Sequence, residues 1–333
     1  MRSERITVTN IRQKITCEAD AYVYIEDLRW GGHPVCAHCG SDRVNLLNPE
    51  NGVSRKTRTG AQSQRRVWKC YGCRKQFSVL TGTIFHGTKV SLEIWIYVLF
   101  EMCANKNGVA AREIERKYGV TAKTAWFMTQ RIREAMKLEP LAGMLKGTIV
   151  ADETFIGGKP KNMHAAKRKE LTPYKPFSGR AYGDSKTAVL SLIDKQTGEV
   201  RSRVMPSIDG SSLRKAIAEH VDIPSSVLHT DSGNHYNQVG REFVAHESVN
   251  HTAGEYVRGN VTTNHAEGYF SQLKRSIDGT HHHVSPEHLS RYLAEFDYRY
   301  STRNLDDSAR TRRLMGQVGG KRLTYRPLRE SRD

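Results

Sequence analysis

Long apolar runs are scarce in this sequence. The longest unbroken one, Ile94 to Phe100, falls far short of the ~20 residues that a bilayer-spanning helix needs. Met1 to Arg5 carry no apolar segment of a secretory signal, so a cytoplasmic location is expected. Acidic residues are also in deficit: 35 Asp and Glu against 52 Lys and Arg leave a formal net charge of +17. A surface of that sign attracts polyanions. With no lipid-binding signature, nucleic acid is the first candidate and anionic membrane a poor second. Cysteine is sparse too, with six in 333 residues. That number does not make a disulfide framework, and four of the six stand in two Cys-x-x-Cys pairs, which points to metal binding in a reducing compartment.

The length allows two or three domains. Residues 1–30 show no clear period, and their function is not readable. Cys36 and Cys39, then Cys70 and Cys73, can each place two thiolates on a tight turn, and together they complete one tetrahedral structural zinc site. Gly40 and Gly72 suit the turns, and the flanking runs 66–69 and 75–80 read as strands, so residues 31–88 read as a zinc ribbon. Its loop holds Arg55, Lys56, Arg58, Arg65 and Arg66, which either contact phosphates or form a solvated loop.

Residues 89–140 read as helical. An apolar helix opens at Ser91 as N-cap, a second spans about 110–117, and Thr121 caps a third that reaches Lys137. Helix, glycine turn and helix make a helix-turn-helix pattern, which occurs both in DNA readers and in structural bundles. As a DNA reader, the third helix is expected to present Lys123, Thr124, Met128 and Arg131 or Arg133 outward.

From 146 to 304 the texture is α/β. Strands are expected at 148–152, ending on Asp152, then at 187–193 and 200–205. A helix through Leu213, Ile217 and Val221 follows, then a strand at 226–231 ending on Asp231. The lysine-, glycine- and proline-rich stretch 157–183, with Lys159, reads as a mobile basic insertion. Three strands, a helix and a fourth strand describe a ribonuclease-H-like fold, in which the first and fourth strands are neighbours. Two clustered carboxylates repel unless a divalent ion neutralises them, and Mg²⁺ accepts such oxygen ligands. A later helix, 264–275, supplies a third acid. Asn264, Glu267, Ser271 and Lys274 form one polar stripe, opposite Tyr269, Phe270, Leu273 and Ile277. Residues 305–333 read as a basic tail. The whole is an α+β multidomain chain.

The order zinc ribbon, helical segment, Ala151–Lys159, His229–Asp231, Asn264–Arg275 and Arg291–Arg299 resembles bacterial insertion-sequence transposases of the ISXO type. The resemblance implies an Asp-Asp-Glu enzyme that cleaves and joins double-stranded DNA at its element's terminal repeats and at a target. It implies Mg²⁺, two ions with Mn²⁺ able to substitute, held by Asp152, Asp231 and the acid of the late helix. It also implies a homo-oligomer on DNA near the bacterial nucleoid. In relatives the third position can be an asparagine, which makes Asn264 the competitor of Glu267. Glu267 is favoured because a carboxylate compensates more cationic charge than an amide. Lys274 would hold the scissile strand, and Lys123, Thr124, Arg131, Lys159 and Arg275 would contact DNA. The competing readings are a zinc-ribbon and helix-turn-helix regulator without catalysis, and an endonuclease without strand transfer.

Overall fold

The computed structural model describes residues 5–47, 55–56, 62–137, 143–157 and 186–323, which fall into two compact units. One unit runs through Met136 and resumes at Asn304; the other spans Lys137–Arg303.

The first unit opens with α1 (Val8–Lys14) and α2 (Glu18–Trp30). The ribbon follows, with strands β1 (Val44–Leu47), β2 (Arg55–Lys56), β3 (Gln62–Ser63), β4 (Val67–Cys70) and β5 (Gln76–Phe77). β4 lies between β1 and β5, antiparallel to both. The segment with no readable period proves to be the ribbon's support. Trp30 of α2 meets Trp68 and Phe77 edge-on at 5.8 and 6.1 Å. Buried Glu26 accepts from Trp68 Nε1 at 2.8 Å and Arg66 Nε at 2.9 Å. Arg66 is therefore a structural partner here, not a free phosphate contact.

Helices α3 (Leu92–Ala104), α4 (Ala111–Tyr118) and α5 (Ala122–Met136) complete the helical part. Ser91 is the N-cap of α3, but its hydroxyl makes no capping bond. The Glu18 carboxylate takes that place, accepting from the Leu92 amide at 3.1 Å where the helix dipole favours a negative charge. Gly119, in the left-handed region, turns α4 into α5, and Thr121 Oγ1 accepts from the Thr124 amide at 3.2 Å.

In the second unit the strands are β6 (Leu145–Ile156), β7 (Thr187–Asp194), β8 (Val200–Met205), β9 (Val221–Asp231) and β10 (Ala245–Val249). Their order is β10-β9-β6-β7-β8. β6, β7 and β8 form an antiparallel meander, and β9 and β10 continue parallel to β6. This is the expected ribonuclease-H-like arrangement. Two boundaries differ from expectation. β6 does not stop at Asp152, because β7 pairs with it as far as Ile156↔Thr187. Helix α6 (Gly210–Ala218) ends before Val221, which opens β9 instead.

A short helix α7 (Asn237–Gly240) and a hairpin of β11 (Val257–Arg258) and β12 (Val261–Thr262) precede α8 (Asn264–Ser276) and α9 (Pro286–Ser301). One sheet face packs on α6 through Ile149, Ala151, Leu213 and Ile217. The other packs on α8 and α9 through Val150, Tyr269, Phe270, Leu273, Leu293 and Phe296. Residues 305–333 include α10 (Asp307–Gly316), which belongs to the first unit and buries Leu314 and Met315. Its apolar positions are spaced for packing, so that stretch is not merely a basic tail.

Candidate active site and zinc centre

Cys36 and Cys39 stand on the turn before β1; Cys70 ends β4 and Cys73 stands on the turn into β5. Their sulfurs approach as Cys36–Cys73 at 3.7 Å and Cys39–Cys70 at 3.6 Å, with all four within 4.8 Å. A tetrahedral ion with Zn–S bonds of about 2.3 Å would space its sulfurs by about 3.8 Å, so the donor set fits zinc. Backbone amides favour the thiolates: His38 N–H points at Cys36 Sγ (3.4 Å) and Cys73 N–H at Cys70 Sγ (3.5 Å). The Cys73 amide is the leading cause that holds the Cys70 thiol below its usual range. The left-handed residue of each knuckle follows its second cysteine, Gly40 at φ 73° and Arg74 at φ 61°. Gly72, expected in that role, is small for another reason: a Cβ there would stand 3.3 Å from Ser41 Oγ.

The carboxylates come from three distant elements. β6 and β9 are paired as far as Val150↔His229, so Asp152 and Asp231, each two residues beyond that pair, leave neighbouring strands on the same face. Both share the face of Val150, toward α8. Asp152 is pushed up to about 7, first by burial, then by the charge of Glu153, with Asp231 and Glu267 adding to it. Those contributions place the acid of α8 within electrostatic reach of the strand-borne pair. Among the described residues the four thiols form the one group of potential metal ligands, with ligand atoms within 4.8 Å of one another.

Several supporting groups had no sequence signal. Glu153, on the other face of β6, accepts from Tyr236 OH at 2.6 Å and lies 2.8 Å from His235 Nε2. The turn after Asp231 closes on Gly233, whose amide donates to Asp231 Oδ1 at 3.0 Å. A Cβ at that glycine would sit 2.6 Å from the His235 ring. Glu267, half exposed, has His251 Nδ1 at 3.6 Å, and Thr263 Oγ1 meets His251 Nε2 at 3.1 Å. Behind α8, buried Asp297 of α9 accepts from Tyr269 OH (2.6 Å), Ser202 Oγ (2.7 Å) and Ser202 N–H (2.8 Å). That network ties the helix bearing Glu267 to the sheet and to α9.

Two family models match the chain. Residues 144–301 match the ISXO2-like transposase domain, and residues 16–76 match the transposase zinc-ribbon domain. The chain joins a transposase zinc ribbon to an ISXO2-like transposase domain. A curated relative, an uncharacterized protein in transposable element ISH50 of Halobacterium salinarum, is 24% identical over 276 residues, covering 83% of this chain and 88% of that protein. The ribbon match begins at residue 16, so it takes in α2, the helix that packs on the ribbon. No helix among the described residues is long and apolar enough to cross a membrane.

Within the transposase domain Asn264 opens α8, exposed, its backbone N–H donating to Thr262 Oγ1. Lys274 and Arg275 lie exposed in the last turn. Lys159 and most of the expected basic insertion lie outside the described residues, as does Arg58 of the ribbon loop. In the other unit Lys123 is exposed and Thr124 half-buried, but the expected outward face of α5 ends there. Met128, Arg131 and Arg133 are buried. Arg131 Nη2 donates to His86 O at 2.9 Å, and its guanidinium stacks 4.8 Å from the Phe127 ring. Arg133 Nη1 reaches Thr129 Oγ1 at 3.2 Å. A long cationic side chain can be buried when carbonyls and hydroxyls satisfy its donors, and helical spacing alone cannot reveal that.

Proposed function

We propose that this transposase binds the terminal repeats of its own element and catalyses divalent-cation-dependent strand cleavage and strand transfer, with Asp152, Asp231 and Glu267 as the metal-binding acids. The observation that carries the reading is the pairing of β6 with β9, which brings Asp152 and Asp231 out of neighbouring strands on the sheet face toward α8, where the half-buried Asp152 carboxyl is raised first by burial and then by the charges of Glu153, Asp231 and Glu267. Such a cluster is unfavourable by itself and becomes favourable around cations. Two Mg²⁺ ions, or Mn²⁺ in their place, would supply Lewis acidity to the attacking and leaving oxygens of an in-line displacement. The chain's part is positional. β6 and β9 bring two acids to one face of the sheet, the Asp297 network holds α8, and Lys274 offers a point charge to a backbone phosphate. The +17 net charge favours double-stranded DNA as partner, with exposed Lys123 and half-buried Thr124 as contacts on α5, and we take the assembly on paired element ends to be a homo-oligomer.

Cleavage of a plasmid carrying the element ends, in Mg²⁺ and in EDTA, tests this. Wild-type protein should nick at the ends and join a labelled end to target DNA only with the cation. Asp231→Ala should bind the ends near the wild-type level, steeply salt-dependent, and neither cut nor join. Cleavage in EDTA, or an active Asp231→Ala, would overturn the proposal; cutting without joining would reduce it to an endonuclease.

A further inference from the structure

The two strand-borne acids lie beyond the pairing that joins their strands. β6 and β9 are in register as far as Val150↔His229, two residues short of both Asp152 and Asp231. Past that point each strand is held on its outer side: β7 pairs with β6 at Asp152↔Ser191 and Glu153↔Leu190, and β10 pairs with β9 at Asp231↔Val249. The β6–β9 ladder therefore does not set the separation of the acids. A bridge of side chains spans the gap.

One end of the bridge is Glu153, on the sheet face opposite Asp152, the face of Ala151 and Leu190. The other end is the 3₁₀ turn Asn234–Tyr236 that follows Asp231. Tyr236 is fully buried in the core on that face, and its hydroxyl donates to Glu153 Oε2 at 2.6 Å. His235 Nε2 stands 2.8 Å from the other carboxylate oxygen, Oε1, and the His235 and Tyr236 rings lie 4.6 Å apart. Both oxygens of one carboxylate thus engage the same turn. That turn carries Asp231, because Gly233 N–H donates to Asp231 Oδ1 at 3.0 Å and Tyr236 N–H donates to Gly233 O at 3.1 Å. It has no slack: a Cβ on Gly233 would stand 2.6 Å from His235 Cε1 and 3.0 Å from Asp231 Oδ1. The Glu153 side chain is only 12% exposed, and keeping a carboxylate so far from water is costly unless its partners hold it.

We propose that Glu153 is a positioning residue for the cation site: it ties the turn after Asp231 to the strand of Asp152 and so sets the separation of two acids that the β6–β9 ladder leaves open. The inference rests on the proposed function, since it takes Asp152 and Asp231 as cation ligands. Groups that orient metal ligands from behind typically change metal affinity by about 10–100-fold when they are removed.

Mn²⁺ binding to the zinc-loaded full chain, without DNA, is read from the electron paramagnetic resonance of the free ion. Asp231→Ala identifies the site and should lose this binding. Tyr236→Phe keeps the buried ring and the charge of Glu153 and removes only the bridging hydroxyl; it should weaken Mn²⁺ binding by about 10–100-fold, as should Glu153→Ala. Glu153→Gln, which keeps an oxygen for the tyrosine, should recover most of that loss. All three should match wild type in circular dichroism and in binding of element ends in EDTA. Wild-type Mn²⁺ affinity in either Tyr236→Phe or Glu153→Ala would overturn the inference. So would a Glu153→Gln no better than Glu153→Ala, the mark of a charge rather than a bridge, and so would a loss found only together with altered circular dichroism. If Asp231→Ala binds Mn²⁺ as well as wild type, the assignment of the acids falls first, so the two failures are distinguishable.

Discussion

The two candidate metal centres are assembled in opposite ways. The thiols sit on two tight knuckles of one small sheet, with N–H groups aimed at sulfur and a spacing that already fits zinc. The acids are carried by two parallel strands and a helix that arrives after a further strand and a hairpin. A thiolate cage is part of its own fold, so losing one ligand should unfold it. The acid cluster opposes the fold that holds it, as the raised Asp152 carboxyl records, so losing one acid should spare the fold and remove the activity.

The largest expected effect separates the two centres. Cys70→Ser should lose the one zinc per chain and melt the ribbon, since structural zinc in such modules contributes about 10–16 kcal/mol of binding energy at neutral pH. Metal analysis with circular dichroism checks it, and undiminished zinc would break the assignment. Asp152→Asn should lose strand cleavage by orders of magnitude while its melting temperature in EDTA stays level or rises. A large drop in melting temperature would mean that the acids are structural.

A smaller effect sharpens the same contrast between holding a fold and meeting DNA. Arg131→Ala strands the carbonyl of His86 and should cost about 1–3 kcal/mol in urea unfolding. Lys123→Ala should leave stability within about 0.5 kcal/mol and lower the salt slope of DNA binding by about one. If the two exchange behaviours, the face of α5 has been misjudged.

The smallest effect concerns Asp297, pushed up to about 7 by burial despite three donated hydrogen bonds. An unfolded aspartate ionises near pH 4 (about 3.9). Between that value and 7 the folded unit keeps a proton that the unfolded chain has lost, so this group's contribution to stability falls as pH rises and levels off above 7. Asp297→Asn cannot ionise and should lack that part of the slope between pH 4.5 and 7.5, at about 1–3 kcal/mol lower stability because one of the two oxygens that accept from Ser202 and Tyr269 becomes a donor. An unaltered slope would contradict the assignment.

What the sequence made legible was set by neighbours in the chain: the cysteine pairs, the polar stripe of α8, and strands in ribonuclease-H order. The apolar residues opposite that stripe do face the core, since Tyr269, Phe270, Leu273 and Ile277 are all buried. What stayed hidden depends on distant segments meeting. Glu18 accepts from the amide of Leu92, 74 residues on. The partners of Arg131 include Leu323 O, 192 residues away. Neither has a periodic signature. The same holds for His251 beside Glu267 and for Asp297 beneath Tyr269. The stripe rule succeeded on α8, which covers one sheet face and leaves its other side to water. It failed on α5, whose inner half is enclosed by α3, α4 and the segment near Leu323.

The central claim is that Glu267, not Asn264, completes the acid cluster. The direct measurement is Mg²⁺-dependent strand transfer by equal amounts of folded Glu267→Gln and Asn264→Ala. Glu267→Gln removes a full negative charge from the face of α8 toward Asp152 and should lower both cleavage and transfer by orders of magnitude. Asn264→Ala should cost much less. Near-normal transfer by Glu267→Gln beside a dead Asn264→Ala would contradict the account and give the third position to the asparagine.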